Sequence, residues 1–129
     1  MRAPSDEELE LHQRAREACE RAYAPYSRFR VGAALRLGDG SVRCAVNVEN
    51  ASYGLSSCAE RNAVFAAVAD GARAFDAIAV HADARSAPPC GACRQVLAEF
   101  APGLTVVFWY EGQLVSAPLD ELLPLAFEL

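Results

Sequence analysis

Residues 57–61 read S-C-A-E-R, and residues 88–95 read P-P-C-G-A-C-R-Q. Cys90 and Cys93 are three residues apart, so at the start of a helix both sulfur atoms lie on one face. Cys58 then has to come from the start of a second helix to complete a cluster of three thiolates. The rest of the chain is organised so that these two helix starts meet.

Three thiolates are suited to Zn²⁺, which has four protein ligands in structural sites and an open position in catalytic sites. We therefore expect one zinc ion per chain, with water in the open position. Glu60 follows Cys58 by two residues, close enough to reach that water and poorly placed to bind the metal. Its predicted role is proton transfer, and the combination indicates a hydrolase that acts on an amine.

Three thiolates on a dication leave a net charge of about −1, which makes a bound water molecule harder to ionise. The two helix N-termini carry partial positive charge that favours thiolates. Arg61 follows Glu60 directly, and we expect it to donate a hydrogen bond to a cysteine sulfur. The alternative interpretation of Arg61 is a solvated charge on the helix surface.

These motifs resemble those of the small homotetrameric, zinc-dependent cytidine deaminases, and the similarity extends from residue 25 to residue 124. The resemblance implies hydrolysis of cytidine and 2′-deoxycytidine to uridine and 2′-deoxyuridine, with release of ammonia, in pyrimidine salvage. It also implies that Phe29 places an aromatic ring against the pyrimidine and that Asn47 and Glu49 contact the sugar. By the same resemblance, groups around Ala59 and Cys90 contact the base, and Phe127 closes the pocket of a neighbouring subunit.

Without the resemblance, the same residues have plainer interpretations. Asn47 and Glu49 are two positions apart at a strand end and project from one side of it, as a polar strand end also would. Phe29 would more often belong to the core, and Phe127 would anchor the last helix to its own subunit.

Hydrophobic periodicity and turn residues predict a three-layer α/β/α fold with a mixed sheet of about five strands, in one domain of residues 1–129. A capping box of Ser5 and Glu8 starts a helix that runs to about Tyr23. Its predicted apolar stripe is Leu9, Ala15, Cys19 and Ala22. The other predicted elements are strands 31–37 and 42–48, helix 58–69 with a stop at Gly71, strand 75–82, helix 90–100, strands 104–110 and 113–116, and a short helix 118–123.

A net charge of −5, without a block of Lys or Arg, argues against a nucleic-acid partner and against a charged membrane surface. Residues 1–6 contain no apolar signal core, and no apolar run approaches the roughly 18 residues of a membrane span, so we expect a cytoplasmic enzyme with a small-molecule substrate. We expect the two remaining cysteines, Cys19 and Cys44, to be buried residues and not to form a disulfide. His12 is predicted to be an exposed helix residue, and His81 a core or edge residue rather than a fourth zinc ligand.

Three other functions compete with this interpretation. A blasticidin-S-type deaminase would share the three-cysteine cluster, although the N-x-E at residues 47–49 favours a nucleoside sugar. A polynucleotide-editing deaminase conflicts with the acidic charge and the lack of a basic or aromatic stripe. A non-enzymatic zinc module leaves Glu60 and the open coordination position without a role.

Overall fold

A computed structural model describes residues 1–129. The elements, in chain order, are α1 (Asp6–Cys19), β1 (Val31–Leu37), β2 (Val42–Val46), α2 (Ala59–Ala69), β3 (Phe75–Ala82), α3 (Gly91–Phe100), β4 (Thr105–Tyr110), β5 (Gln113–Pro118) and α4 (Leu119–Leu122), with a 3₁₀ turn at Tyr53–Leu55 before α2. None of the helices is both long and apolar enough to cross a lipid bilayer.

The five strands form one sheet in the order β2-β1-β3-β4-β5. The pair β3 and β4 is parallel and the other three pairs are antiparallel, so the sheet is mixed, as predicted. Because β1 is antiparallel to both of its neighbours, β2 and β3 run in the same direction. Helices α2 and α3 follow these two strands, and both therefore begin at the same edge of the sheet.

Two hydrophobic clusters cover the two faces of the sheet. On one face α1 packs through Leu11 and Ala15, against a set of strand residues that comprises Ala34, Ala77, Ala79 and Val107. On the other face α2 and α3 pack against the alternate strand positions, and this larger cluster includes Leu35, Ala63, Val64, Ile78, Leu97, Val106 and Phe108. The predicted three-layer α/β/α architecture is confirmed.

Helix α1 lies directly on β1 because β1 has a glycine at the point of contact. A Cβ atom added at Gly32 would lie 2.1 Å from the carbonyl oxygen of Ala15 and 2.6 Å from the amide nitrogen of Cys19. Any side chain at this position would force the helix away from the sheet.

The capping box is confirmed: Ser5 Oγ accepts a bond from Glu8 N at 3.2 Å, and Ser5 N donates to Glu8 Oε1 at 2.9 Å. The predicted end of this helix at Tyr23 is wrong, because α1 ends at Cys19. Tyr23 instead pairs with the chain beyond β2, where its N–H donates to Asn47 O and its carbonyl accepts from Glu49 N.

The predicted apolar stripe of α1 is also partly wrong. Leu9 is 44% exposed, and Leu11 takes its place in the core. The prediction that His12 is exposed fails as well, because its side chain is buried between α1 and the sheet. His12 Nε2 lies 3.2 Å from Nδ1 of His81, a buried residue of β3. Burial, and then the nearby His81, lower the pKa of His12 to about 4, so that it is neutral at physiological pH.

The other predicted elements are confirmed with small shifts at their ends. Strand β2 ends at Val46 rather than at residue 48, and β5 continues to Pro118. Gly71, with φ of +98°, ends α2 as predicted, and its N–H donates to Val68 O at 3.0 Å. Cys19 is buried, Cys44 is half-buried, and both are free thiols.

Glu8 links the N-terminal segment to the C-terminal half of the sheet. Its carboxylate accepts two bonds from the guanidinium of Arg2, at 2.8 and 2.7 Å, and one from Ser116 Oγ at 2.9 Å. The bonds from Arg2, together with those from Ser5 and Ser116, outweigh the effect of burial and lower the pKa of Glu8 to about 2.

The lowered pKa predicts how the stability of the fold depends on pH. The folded-state pKa of Glu8 is below the ordinary value of 4.5, so its contribution is fully present above about pH 4.5 and is lost as pH falls towards 2. We expect Glu8→Gln to lower the free energy of unfolding by about 2 kcal/mol at pH 7, and by much less near pH 2.5. Urea unfolding at both pH values measures this difference.

Glu10→Gln is the matched control, because Glu10 is an exposed carboxylate on the same helix without a hydrogen-bonded partner. It should leave the free energy of unfolding unchanged at both pH values. A loss for Glu8→Gln that is equal at pH 7 and pH 2.5 would contradict the electrostatic explanation.

Candidate functional site

The three cysteines predicted to bind zinc lie together at the helix starts. Cys58 is the N-cap residue of α2, Cys90 is the N-cap residue of α3, and Cys93 lies in the first turn of α3. The Sγ atoms of Cys58 and Cys90 are 3.9 Å apart, and those of Cys90 and Cys93 are 3.4 Å apart. All three sulfur atoms lie within 4.8 Å of one another.

These separations fit a zinc ion. Tetrahedral zinc with Zn–S bonds of about 2.3 Å requires neighbouring sulfur atoms to be roughly 3.8 Å apart. No further His, Cys, Asp or Glu joins the cluster. His81 lies on the opposite face of the sheet, where it contacts His12 and Asp83. A zinc ion held by these three sulfur atoms would keep one coordination position for a small molecule, which is the arrangement of a catalytic site.

One positively charged side chain, that of Arg61, lies beside the sulfur atoms. The Nη2 atom of Arg61 donates to Cys58 Sγ at 3.2 Å, and Arg61 Nε is buried beside it without a hydrogen-bonded partner. Hydrogen bonds from Cys93 and then from Arg61 lower the pKa of the Cys58 thiol to about 5. The same bond to Cys58, together with burial, raises the pKa of Cys93. Metal binding releases the protons that the thiols still hold, because cysteine binds zinc as the thiolate.

Glu60 lies in the first turn of α2, and its side chain is only 4% exposed. Burial raises the pKa of this carboxyl to about 7, and the charge of Cys58 acts in the same direction. A carboxyl with a pKa near neutrality both accepts and donates protons at physiological pH.

Glu60 lines a cavity of about 260 Å³, which lies at the starts of the two helices α2 and α3. The cavity is lined by Phe29, Val31, Asn47, Cys58, Ala59, Glu60, Val80, Ser86, Ala87, Pro88 and Cys90. Six of the residues singled out from the sequence are among them. Cys93 is fully buried in α3 and does not line this cavity.

Two other predicted substrate contacts lie elsewhere. Glu49 lines a neighbouring cavity of about 330 Å³, together with Tyr26, Ser27, Tyr53 and Ser56. Phe127 is 71% exposed and lines neither cavity. Its backbone is held by the side chain of Gln95, which donates to Phe127 O at 3.1 Å and accepts from Phe127 N at 3.3 Å.

The polar pair at residues 47–49 already has partners within the chain. Asn47 Oδ1 accepts from Val31 N at 2.9 Å, and Asn47 Nδ2 donates to Phe29 O at 2.8 Å. Glu49 accepts bonds from Tyr26 N and from both the N–H and the hydroxyl of Ser27. Both side chains therefore hold the loop between α1 and β1, a contact that the sequence analysis did not anticipate.

Sequence reasoning also missed residues that hold the loops of the site. Arg94 donates to Pro89 O at 2.8 Å and to Leu122 O at 2.7 Å, and so ties the loop before α3 to α4. Its position directly after Cys93 in the C-G-A-C-R-Q motif was the available signal. Ser27 had no signal of its own.

A family model described as "Cytidine and deoxycytidylate deaminase zinc-binding region" matches residues 5–109. The chain belongs to this deaminase family. A cytidine deaminase from Halalkalibacterium halodurans is 54% identical over 120 residues, which are 91% of each chain. The crystal structure of a cytidine deaminase from Burkholderia pseudomallei superimposes with a TM-score of 0.87 at 50% identity, and covers 92% of this chain and 98% of that one.

A more distant relative of this chain has another activity in its name. A blasticidin-S deaminase from Bacillus cereus is 33% identical, with 95% of this chain and 94% of that protein covered. The cysteine cluster and the family match together identify this chain as a zinc-binding deaminase family member.

The cluster predicts which variants lose metal. Cys58→Ala, Cys90→Ala and Cys93→Ala should each lose most of the zinc after dialysis against a weak chelator, because two thiolates hold zinc far less well than three. Glu60→Gln should retain about one zinc per chain, because Glu60 is not a ligand. Elemental analysis of the purified proteins measures the metal content.

Cys44→Ala is the matched control, since it removes a half-buried thiol outside the cluster. It should retain the wild-type zinc content. Full zinc retention in any of the three cluster variants would show that this cysteine is not a ligand.

Proposed function

We propose that this chain is a zinc-dependent deaminase that hydrolyses cytidine and 2′-deoxycytidine to uridine and 2′-deoxyuridine with release of ammonia, in a single catalytic domain of residues 1–129. The observation that carries the proposal is the position of Glu60, buried in the wall of a cavity that Cys58 and Cys90 also line. The family match and the identity to named cytidine deaminases support the same reaction.

Zinc, when bound by the three cysteines, supplies Lewis-acid activation of a water molecule for attack on C4 of the base. Glu60 accepts the proton that this water releases. The same carboxyl then donates this proton to the ring nitrogen, and afterwards transfers the proton of the new C4 hydroxyl to the departing amine, so that the C4–N bond breaks and cytidine and water become uridine and ammonia. Arg61 and the two helix N-termini offset the negative charge of the thiolates around the reacting atoms.

Substrate contacts follow the lining of the two cavities. The ring of Phe29, 46% exposed, borders the cavity of Glu60 and is the proposed surface for the pyrimidine. The backbone around Ala59 and Cys90 is proposed to bind the polar edge of the base. Asn47, at the cavity of Glu60, and Glu49, in the neighbouring cavity, are proposed to contact the sugar hydroxyls.

The main alternative is deamination of blasticidin S, because a relative of that name covers nearly the whole chain. The higher identity to cytidine deaminases favours the nucleoside. We expect kcat/KM for cytidine to exceed that for blasticidin S by at least tenfold, as measured by the absorbance change on deamination. The opposite ranking would overturn the proposed substrate.

Glu60 provides the test of the mechanism. Glu60→Gln should lower kcat for cytidine roughly 100- to 10,000-fold, which is the typical contribution of an acid-base group. Glu99→Gln, which changes an exposed carboxylate on α3, should leave kcat unchanged. Substantial turnover by Glu60→Gln would assign proton transfer to another group.

The proposal includes a cytoplasmic setting in pyrimidine salvage, where thiols remain reduced. It also includes a homotetramer with shared active sites, in which Phe127 closes the pocket of a neighbouring subunit. Support comes from the exposure of Phe127 and from its position outside the cavities of its own chain. Apolar side chains near these cavities, Tyr53 and Leu55, are also more than 70% exposed, as an interface surface would be in an isolated chain.

A mixing experiment tests the shared site. Glu60→Gln retains Phe127, and Phe127→Ala retains Glu60, so mixed oligomers would contain some sites with both groups intact. We expect activity above that of either variant alone after the two chains are co-expressed and the mixed oligomers isolated by two affinity tags.

Leu129→Ala, which shortens another exposed apolar side chain of the tail, should be as active as wild type when expressed alone. Oligomers that combine Leu129→Ala chains with Glu60→Gln chains measure how much activity is lost when inactive chains dilute active ones. Activity of the first mixture at the average of its two variants would contradict a role for Phe127 in a neighbouring subunit.

A further inference from the structure

The hydroxyl of Ser27 connects two side chains that lie on different elements of the site. Ser27 belongs to the loop between α1 and β1 and donates a hydrogen bond to Glu49 Oε2. The same hydroxyl oxygen accepts a bond from Phe29 N at 3.0 Å. One exposed serine thus contacts both the proposed sugar-binding carboxylate and the backbone of the proposed pyrimidine-binding residue.

The remaining bonds of Glu49 involve the same loop. Its other carboxylate oxygen, Oε1, accepts from Tyr26 N at 2.9 Å and from Ser27 N at 3.1 Å. Oε1 is therefore occupied by two backbone donors, and Oε2 is the oxygen with capacity left for a ligand hydroxyl. The orientation of Oε2 towards a ligand depends on the hydrogen bond from Ser27.

The loop is held in a conformation that its sequence does not favour. Arg28 has φ of +60°, in the left-handed region that costs a non-glycine residue about 1–2 kcal/mol. The bond from Phe29 N to Ser27 Oγ spans this residue. Asn47 holds the next part of the chain through Phe29 O and Val31 N. The position of the Phe29 ring therefore depends on bonds to Ser27 and Asn47.

We propose that Ser27 is a positioning residue for nucleoside binding, which aligns the Glu49 carboxylate with the sugar and the Phe29 ring with the base through a single hydroxyl. The inference rests on the proposed function of the site. Ser27 acts on binding and not on proton transfer, because Glu60 belongs to α2 and has no bond to this loop. The lowered pKa of Glu49, caused first by the side chain of Ser27, agrees with a carboxylate that stays ionised.

The test compares kinetics of variants at this position. Ser27→Ala should raise KM for cytidine about tenfold, while kcat and zinc content stay within about twofold of wild type. Ser27→Thr keeps the hydroxyl and should restore KM to within about threefold. Ser27→Cys, of similar size to serine but a weak hydrogen-bond donor, should behave like Ser27→Ala and replaces it if the alanine variant does not fold.

A double-mutant cycle separates positioning from a general structural role. If Ser27 acts largely through Glu49, Ser27→Ala should raise KM by less than about threefold in a Glu49→Gln background. A merely structural role would instead lower the thermal midpoint and the active fraction while KM remained unchanged. Ser52→Ala is the matched control, because this exposed serine of the nearby 50–57 loop has a hydroxyl without a hydrogen-bonded partner.

The outcomes distinguish this inference from the function on which it rests. If wild type and Ser52→Ala both fail to deaminate cytidine, the proposed function is wrong and the inference falls with it. If wild type is active and Ser27→Ala has the wild-type KM, only the inference is overturned. An effect of Ser27→Ala that remains tenfold in the Glu49→Gln background overturns the alignment of Glu49 by Ser27, because Ser27 would then act independently of this carboxylate.

Discussion

The negative charge of three thiolates in one place is the constraint on which the rest of the structure depends. Cysteines at the N-caps of two helices receive the positive ends of both helix dipoles, and Arg61 adds a full charge at 3.2 Å from Cys58. Two helices can start side by side only if the strands before them end at the same edge of the sheet. The antiparallel β1 between β2 and β3 provides this, since it allows its two neighbours to run in one direction.

The structural features that were predicted correctly depend on residues that are close together in the sequence. The capping box at Ser5, the stop at Gly71 and the spacing of Cys90 and Cys93 each involve residues within a few positions of one another, and each is found as predicted. The side of α1 that faces the sheet is not a local property. It depends on the missing side chain at Gly32 and on a histidine far along the chain, and for that reason His12 was wrongly expected in solvent.

In the site, too, some residues could be predicted from the sequence and others could not. Three cysteines and a glutamate could be assigned to one place because metal coordination leaves few alternatives. The loop between α1 and β1 could not be predicted, because Arg28 adopts a positive φ without being glycine and the stabilising partner, Glu49, is more than twenty positions from Ser27. Asn47 and Glu49 were expected to contact a ligand or to form a polar strand end, and neither expectation included bonds to this loop. Their bonds to the loop mean that the groups proposed to bind the sugar also build the wall against which the base would lie.

A tryptophan in contact with the buried histidines provides an intrinsic fluorescence probe. Trp109 is the single tryptophan of the chain, and its indole N–H lies 3.3 Å from His81 Nδ1 on the face of the sheet that α1 covers. The cavity of Glu60 lies on the other face, where Val31 and Val80 line it. Tryptophan fluorescence therefore reports the packing of α1 directly and ligand entry only through the sheet. An emission change on nucleoside addition would be a signal of mechanical coupling between the two layers.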